Sequence, residues 1–136
     1  MPLGSPRLKY VGGSAVNAGD LALMVEKAVH LAALTSPGEI PMTVVQSSKP
    51  VLSLYSVGIV FAAAVASGTA FTINLNDRTA GTVVASLVTG AATIPAYTET
   101  LFTLGPGTIN PGDVLTISVS GTGTMPACCV IPRFVQ

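Results

Sequence analysis

The run Asn110-Pro111-Gly112-Asp113-Val114-Leu115-Thr116-Ile117-Ser118-Val119-Ser120-Gly121 decides the fold class. A Pro-Gly turn opens it and a glycine closes it. Between them Leu115, Ile117 and Val119 fall on one face of an extended chain, while Thr116, Ser118 and Ser120 fall on the other. Alternation with a period of two marks a half-buried antiparallel strand. Most of the chain beyond residue 40 divides into similar units.

Met42 to Ser47 reads as a strand and Ser48-Lys49-Pro50 as its turn. Val51 to Phe61 follows, with Val51, Ser53, Tyr55, Val57, Ile59 and Phe61 on one side. Ala62 to Gly68 is small-residue chain, a loop or a short helix. Thr69 to Asn76 alternates most cleanly, placing Phe71, Ile73 and Leu75 inward and Thr72, Asn74 and Asn76 outward. Asn76 to Gly81 makes a hairpin-like turn, and Thr82 to Thr89 returns from it. After the Gly90–Pro95 link comes a strand from Tyr97 to Leu104, broken by Gly105-Pro106-Gly107. The last strand runs from Pro126 to Phe134. Its prolines lack amide donors, which predicts an edge strand or a bulged one. About seven or eight short strands separated by turn signals predict an all-β fold, an antiparallel β-sandwich of jelly-roll type over residues 21–136.

The beginning of the chain is different. Residues 1–20 are rich in Gly, Pro and Ser and cannot bury enough apolar surface to fold alone. They read either as a disordered tail or as an extended arm that orders against a partner. Leu3, Arg7, Leu8, Lys9, Tyr10 and Val11 give the arm its apolar and mildly basic contact residues. Residues 20–34 admit two readings. Asp20 as N-cap, followed by Ala, Leu, Met, Glu and Lys, favours a helical turn near residues 20–27. The alternation of Val29 and Leu31 with Ala28 and His30 favours a strand from about Lys27 to Thr35.

Charge is scarce: six cations and six anions among 136 residues, or 9% charged, against about a quarter in ordinary domains. Such a surface is neutral polar or hidden against another subunit. The zero net charge and the absence of a basic cluster argue against nucleic-acid binding by phosphate neutralisation. The uncharged run Pro50 to Asn76 could span a bilayer by length alone, but Ser, Thr, Gly and Asn interrupt it and no basic flank follows. No membrane partner is expected, and the amino terminus lacks a signal-peptide core.

No catalytic, cofactor or metal constellation stands out. His30 is the only histidine and lies beside Val29 and Leu31, the setting of a structural residue. No Gly-x-Ser-x-Gly elbow or phosphate loop occurs. The carboxylates Glu26, Glu39, Asp77, Glu99 and Asp113 are scattered, without a favoured pair, and Asp77 and Asp113 read as turn formers. Asn76-Asp77 and Asn110 to Asp113 offer hard oxygen ligands without calcium-loop spacing. Cys128 and Cys129 are adjacent, so on a strand they face opposite ways and do not pair. They read as small buried hydrophobes. The expectation is a protein that is not an enzyme.

Taken in order, Thr43-Val44-Val45, the Lys49-Pro50 turn, Leu54-Tyr55-Ser56-Val57, Ala70-Phe71-Thr72-Ile73-Asn74-Leu75 and Asn110-Pro111-Gly112-Asp113-Val114-Leu115-Thr116-Ile117 form a pattern. It resembles the small β-sandwich decoration (cement) proteins of tailed-bacteriophage heads, over about residues 30–136. The resemblance implies a virion protein on the outer capsid surface, assembled in the host cytoplasm. Its implied partners are the major capsid protein, whose subunits it staples, and its own copies in a homotrimer. The alternative function is a head fibre or receptor-binding knob that recognises a host surface glycan. The arm of residues 1–20 and the Cys128-Cys129 pair fall outside the pattern.

Overall fold

The structure, a computed structural model, describes residues 24–26, 28–45 and 53–135. Their regular structure is all β. The strands are β1 (Met24–Glu26), β2 (Val29–Leu31), β3 (Leu34–Thr35), β4 (Gly38–Val44), β5 (Ser53–Phe61) and β6 (Phe71–Asp77). They continue as β7 (Thr82–Val88), β8 (Glu99–Leu101), β9 (Thr103–Leu104), β10 (Val114–Gly121), β11 (Thr124–Met125) and β12 (Cys128–Val135). One sheet runs β1-β12-β5-β8 with β2 also on β12, a second runs β4-β10-β6-β7-β9, and β11 pairs with β3.

β1 and β2 share one register along β12, with Met24 opposite Val135 and Leu31 opposite Cys128, so together they fill one strand position beside it. β8 and β9 are halves of one run. The first half pairs with β5 in one sheet, the second with β7 in the other, and buried Phe102 sits between them. Merging these pairs and setting aside the short β3–β11 ladder leaves eight strands. In one sheet the first lies beside the eighth, then the third and sixth; in the other the second lies beside the seventh, then the fourth and fifth. That is the jelly-roll order, expected from the turn spacing.

Between the sheets lies one contiguous apolar cluster. Leu115, Ile117 and Val119 face inward, as their alternation predicted, and meet Phe71, Ile73 and Leu75 of β6 on the same face. The other sheet contributes Val57, Ile59 and Phe61 of β5 and Cys128, Val130 and Phe134 of β12. Each such side chain contributes about 1.5–3 kcal/mol by leaving water.

Several expectations need correction. Met24–Glu26 is a strand instead of a helical turn, because the edge of β12 offers it ladder partners and pairing overrides the helix propensity of Met and Glu. The rest of the segment expected to be helical, residues 20–23 and 27, lies outside the described residues, as does the Ser48-Lys49-Pro50 turn. β4 begins at Gly38, four residues before Met42, and ends at Val44. Tyr55 does not join the inward row of β5. The ladder with β12 carries a bulge, Arg133 opposite Ser56 and Phe134 opposite Leu54, so Tyr55 is the extra residue. Leu54 is partly buried against the core, while Tyr55 is 59% exposed. Residues 62–68 form a loop, closed by reciprocal bonds of 2.9 Å between Val65 and Ile94.

The extra residue of the β5–β12 bulge belongs to β5, so β12 is neither the bulged strand nor an edge: β1 and β2 flank it on one side and β5 on the other. Pro132 costs the β5 ladder no bond. The Val57 carbonyl opposite it turns away from β12 to accept from Phe102 N at 2.8 Å. The amide that Pro132 lacks therefore faces away from β5, on the side where β1 and β2 pair with β12. Among the described residues no helix is long and apolar enough to cross a membrane.

Candidate functional site

The outer face of the β1-β12-β5-β8 sheet is built in cross-strand rows. His30, Cys129, Val60 and Glu99 form one row, and Ile131, Gly58 and Leu101 the next. The first row opens into a groove of about 410 Å³ whose walls include His30, Val60, Ala62, Tyr97, Ala127 and Cys129. Apart from the His30 imidazole and the Tyr97 hydroxyl these groups are apolar or weakly polar. Tyr97 stands 79% exposed with a φ of 58°, the left-handed region that a bulky residue rarely enters. Its amide holds that conformation by donating to the Phe61 carbonyl at 2.9 Å. An exposed aromatic beside an apolar groove is an arrangement suited to contact.

The strand geometry separates the two cysteines as expected, and both are free. Cys128 points into the core, where burial first, and then the neighbouring Cys129, pushes its thiol up to about 12. Cys129 is half-buried on the outer face and lines the groove. His30 is exposed at the same rim, not packed into the core, because Val29 and Leu31 take the inward positions.

Farther along this face lies an ionic patch. Arg133 Nε donates to Glu26 Oε2 and Nη1 approaches Glu99 Oε2, each at 2.8 Å, while Nη1 also reaches Ser56 Oγ at 3.3 Å. Bonds to Glu99 and then Glu26 raise the Arg133 pKa further above its ordinary value. Glu99 reaches Arg133 by crossing over Gly58, which has no side chain in the way.

The second sheet presents a polar outer face of Ser, Thr and Asn with an ion pair. Of the row Thr116, Ser118 and Ser120, only Ser120 is exposed. Thr116 is 7% exposed and donates to the Glu39 carboxylate, which also receives both Nε and Nη2 of Arg78. The bonds from Arg78, then Thr116, hold the Glu39 carboxyl below the usual carboxylate range despite some desolvation. Asn76 Nδ2 donates to Ser118 Oγ at 3.0 Å and Thr116 Oγ1 at 3.3 Å.

Thus Glu26, Glu39 and Glu99 each pair with an arginine, and Asp77 and Asp113 come together. Both aspartates also hold the expected turns, Asp77 Oδ1 accepting from Ala80 N at 3.1 Å and Asp113 Oδ2 from Asn110 N at 2.9 Å. The sequence did carry a sign of their meeting. Asp77 continues the inward parity of Phe71, Ile73 and Leu75, and Asp113 that of Leu115, Ile117 and Val119. Among the described residues no three His, Cys, Asp or Glu side chains gather as a metal site. The arm residues Leu3, Arg7, Leu8, Lys9, Tyr10 and Val11 lie outside the described residues.

No family model matches the chain, and no curated protein matches it. Among solved structures the chain is similar to one from work titled "Bacillus endospore appendages form a novel family of disulfide-linked pili". The two share 17% identity with a TM-score of 0.40, over 90% of this chain and 97% of that one. A likeness of this extent carries no argument about function.

Proposed function

We propose that the chain is a structural virion protein: a β-sandwich that binds the outside of a phage capsid, as a homotrimer, and staples neighbouring major capsid subunits. The observation that carries this reading is the apolar groove between His30, Val60, Cys129 and Tyr97. An apolar cleft bordered by an exposed tyrosine favours burial against another protein surface. The low charge of the whole chain supports the same reading, as does the likeness of its strand-and-turn motifs to capsid decoration proteins. The arm, with Leu3, Leu8, Tyr10 and Val11, adds contact area in this scheme.

The test is co-sedimentation with capsids. Val60→Asp places a carboxylate in the groove wall, and its desolvation should reduce capsid occupancy by about tenfold or more. Removal of residues 1–20 should weaken attachment while the sandwich still folds. Unchanged occupancy in both variants would overturn the cement role, and binding to host cells in place of capsids would favour the receptor-binding alternative.

A further inference from the structure

β6 and the loop entering β10 deliver one aspartate each to the same end of the sandwich interior. Asp77 lies opposite Leu115 in the β6–β10 ladder, and Arg78 N donates to Val114 O at 2.9 Å just beyond it. This register leaves the Asp113 carboxylate within hydrogen-bonding reach of Asp77. Both are removed from water, Asp77 at 0% and Asp113 at 5% exposure. Ala80 N serves Asp77 Oδ1 and Asn110 N serves Asp113 Oδ2, but Asp77 Oδ2 receives no N–H or hydroxyl donor.

Among the described residues no cation offsets the pair. Arg78, next in the chain, turns to Glu39 on β4, and Arg133 bonds Glu26 and Glu99 on the other sheet. β7 brings Thr82 to this end, and the loop before β10 brings Ile109, Asn110, Pro111 and Gly112, none of them ionisable. Two bare carboxylates in contact, away from water, are strongly unfavourable. A proton between them neutralises one charge and supplies the donor that Oδ2 lacks.

We propose that Asp77 and Asp113 share one proton, with Asp77 Oδ2 donating to the Asp113 carboxylate, and that the pair is a pH-operated latch between the β6–β7 turn and the loop entering β10. The surrounding bonds show what it fastens. Gly81 N donates to Asp77 O at 2.8 Å, Val45 N to Asp113 O at 2.9 Å, and Gly112 N to Val45 O at 2.7 Å. The turn, the loop and the end of β4 therefore meet at this point. Burial, then the facing Asp113, raise the Asp77 pKa, with the Ala80 and Thr79 amides opposing in part. A raised folded-state pKa means the native state holds the proton more tightly than the unfolded chain. The latch thus contributes fully below the unfolded value and is lost as pH rises through the folded one. When the proton leaves to solvent, two anions face each other and this end of the sandwich loosens first.

Denaturant unfolding of the full chain from about pH 4 to about pH 8 tests this. The midpoint of the wild type, measured against Asp77→Asn, should fall as pH rises. The amide that Asp77→Asn introduces donates to Asp113 at every pH, so the variant should be the more stable protein at the alkaline end. Parallel profiles would overturn the latch. Carboxyl-carbon NMR titration of the native protein needs no variant: Asp77 must titrate above the ordinary aspartate range, and an ordinary titration overturns the shared proton. Stabilisation by millimolar calcium at neutral pH, lost in Asp77→Asn, would assign the place to a cation and overturn it as well.

Discussion

At Gly58 an added Cβ would run into Glu99 Oε2, while at Gly121 it would run into the Ala70 carbonyl oxygen. The obstacle differs in kind. Glu99 is the end of a flexible side chain and can swing away, at the cost of its bond to Arg133. Gly58→Ala should therefore fold normally and lose about 1 kcal/mol or less, the range of an exposed ion pair. Gly121 faces backbone and has a φ of 114°, so Gly121→Ala should cost more, about 1–3 kcal/mol from the backbone conformation alone. Denaturant midpoints of the two variants test the order. The cysteines offer a second residue-level test. A thiol reagent near neutral pH should modify Cys129 in the native protein and reach Cys128 only after unfolding, because burial keeps that thiol protonated. Rapid modification of both in the folded state would contradict the assigned faces. The opposed orientation of these neighbours was legible in the sequence, because a strand turns alternate residues to opposite faces. The Glu99 crossing was not, since Gly58 and Glu99 are brought together only by the pairing of β5 with β8.

Among elements, the clamp of Arg78 and Glu39 over Thr116 joins three parts of the second sheet: β4, the turn after β6, and β10. Its pH dependence has the opposite sign to that of the buried aspartates. The Glu39 pKa is lowered in the fold, so its contribution is present above the unfolded value and is lost as pH falls through the folded one. Glu39→Gln should thus lower stability at neutral pH by up to about 1 kcal/mol and lessen the loss on acidification. An unfolding series in acid checks this, and an unchanged acid profile would remove Glu39 from the account. Alternation located most of the strands, because half-burial imposes a period of two. It did not foresee the irregularities. Tyr55 shares the sequence parity of Val57, Ile59 and Phe61, and the bulge that separates it from them leaves no mark in the residue pattern. Pro132 suggests an edge or a bulge, whereas a central strand also tolerates it where its missing amide does not serve the neighbouring β5 ladder. The short β1 went against local helix propensity, since its partner is about a hundred positions away.

For the molecule as a whole, the jelly roll places an apolar groove and the Arg133 ionic patch on one outer face, and on the other a surface of Ser, Thr and Asn with the Arg78–Glu39 ion pair. Neutral Ser, Thr and Asn reduce the charge needed at the surface, but Val88 and Leu101 remain exposed along with Tyr97. Association is the expected use of such a surface. The native mass of the full chain should correspond to three copies, and a mass of one copy at assay concentration would count against the trimer. The fold was readable in part because sandwich cores impose a repeated pattern. A contact surface assembled from His30, Val60, Tyr97 and Cys129, on separate segments, has no linear signature. The pairing of Met24 with Val135 has a further consequence. These two residues are antiparallel neighbours, so a short turn joining β12 to β1 would make an ordinary hairpin. Opening the chain instead at the exposed Gly105–Gly107 loop would preserve every ladder. The sandwich is therefore suited to circular permutation, the order in which its strands are threaded being one of several its topology allows.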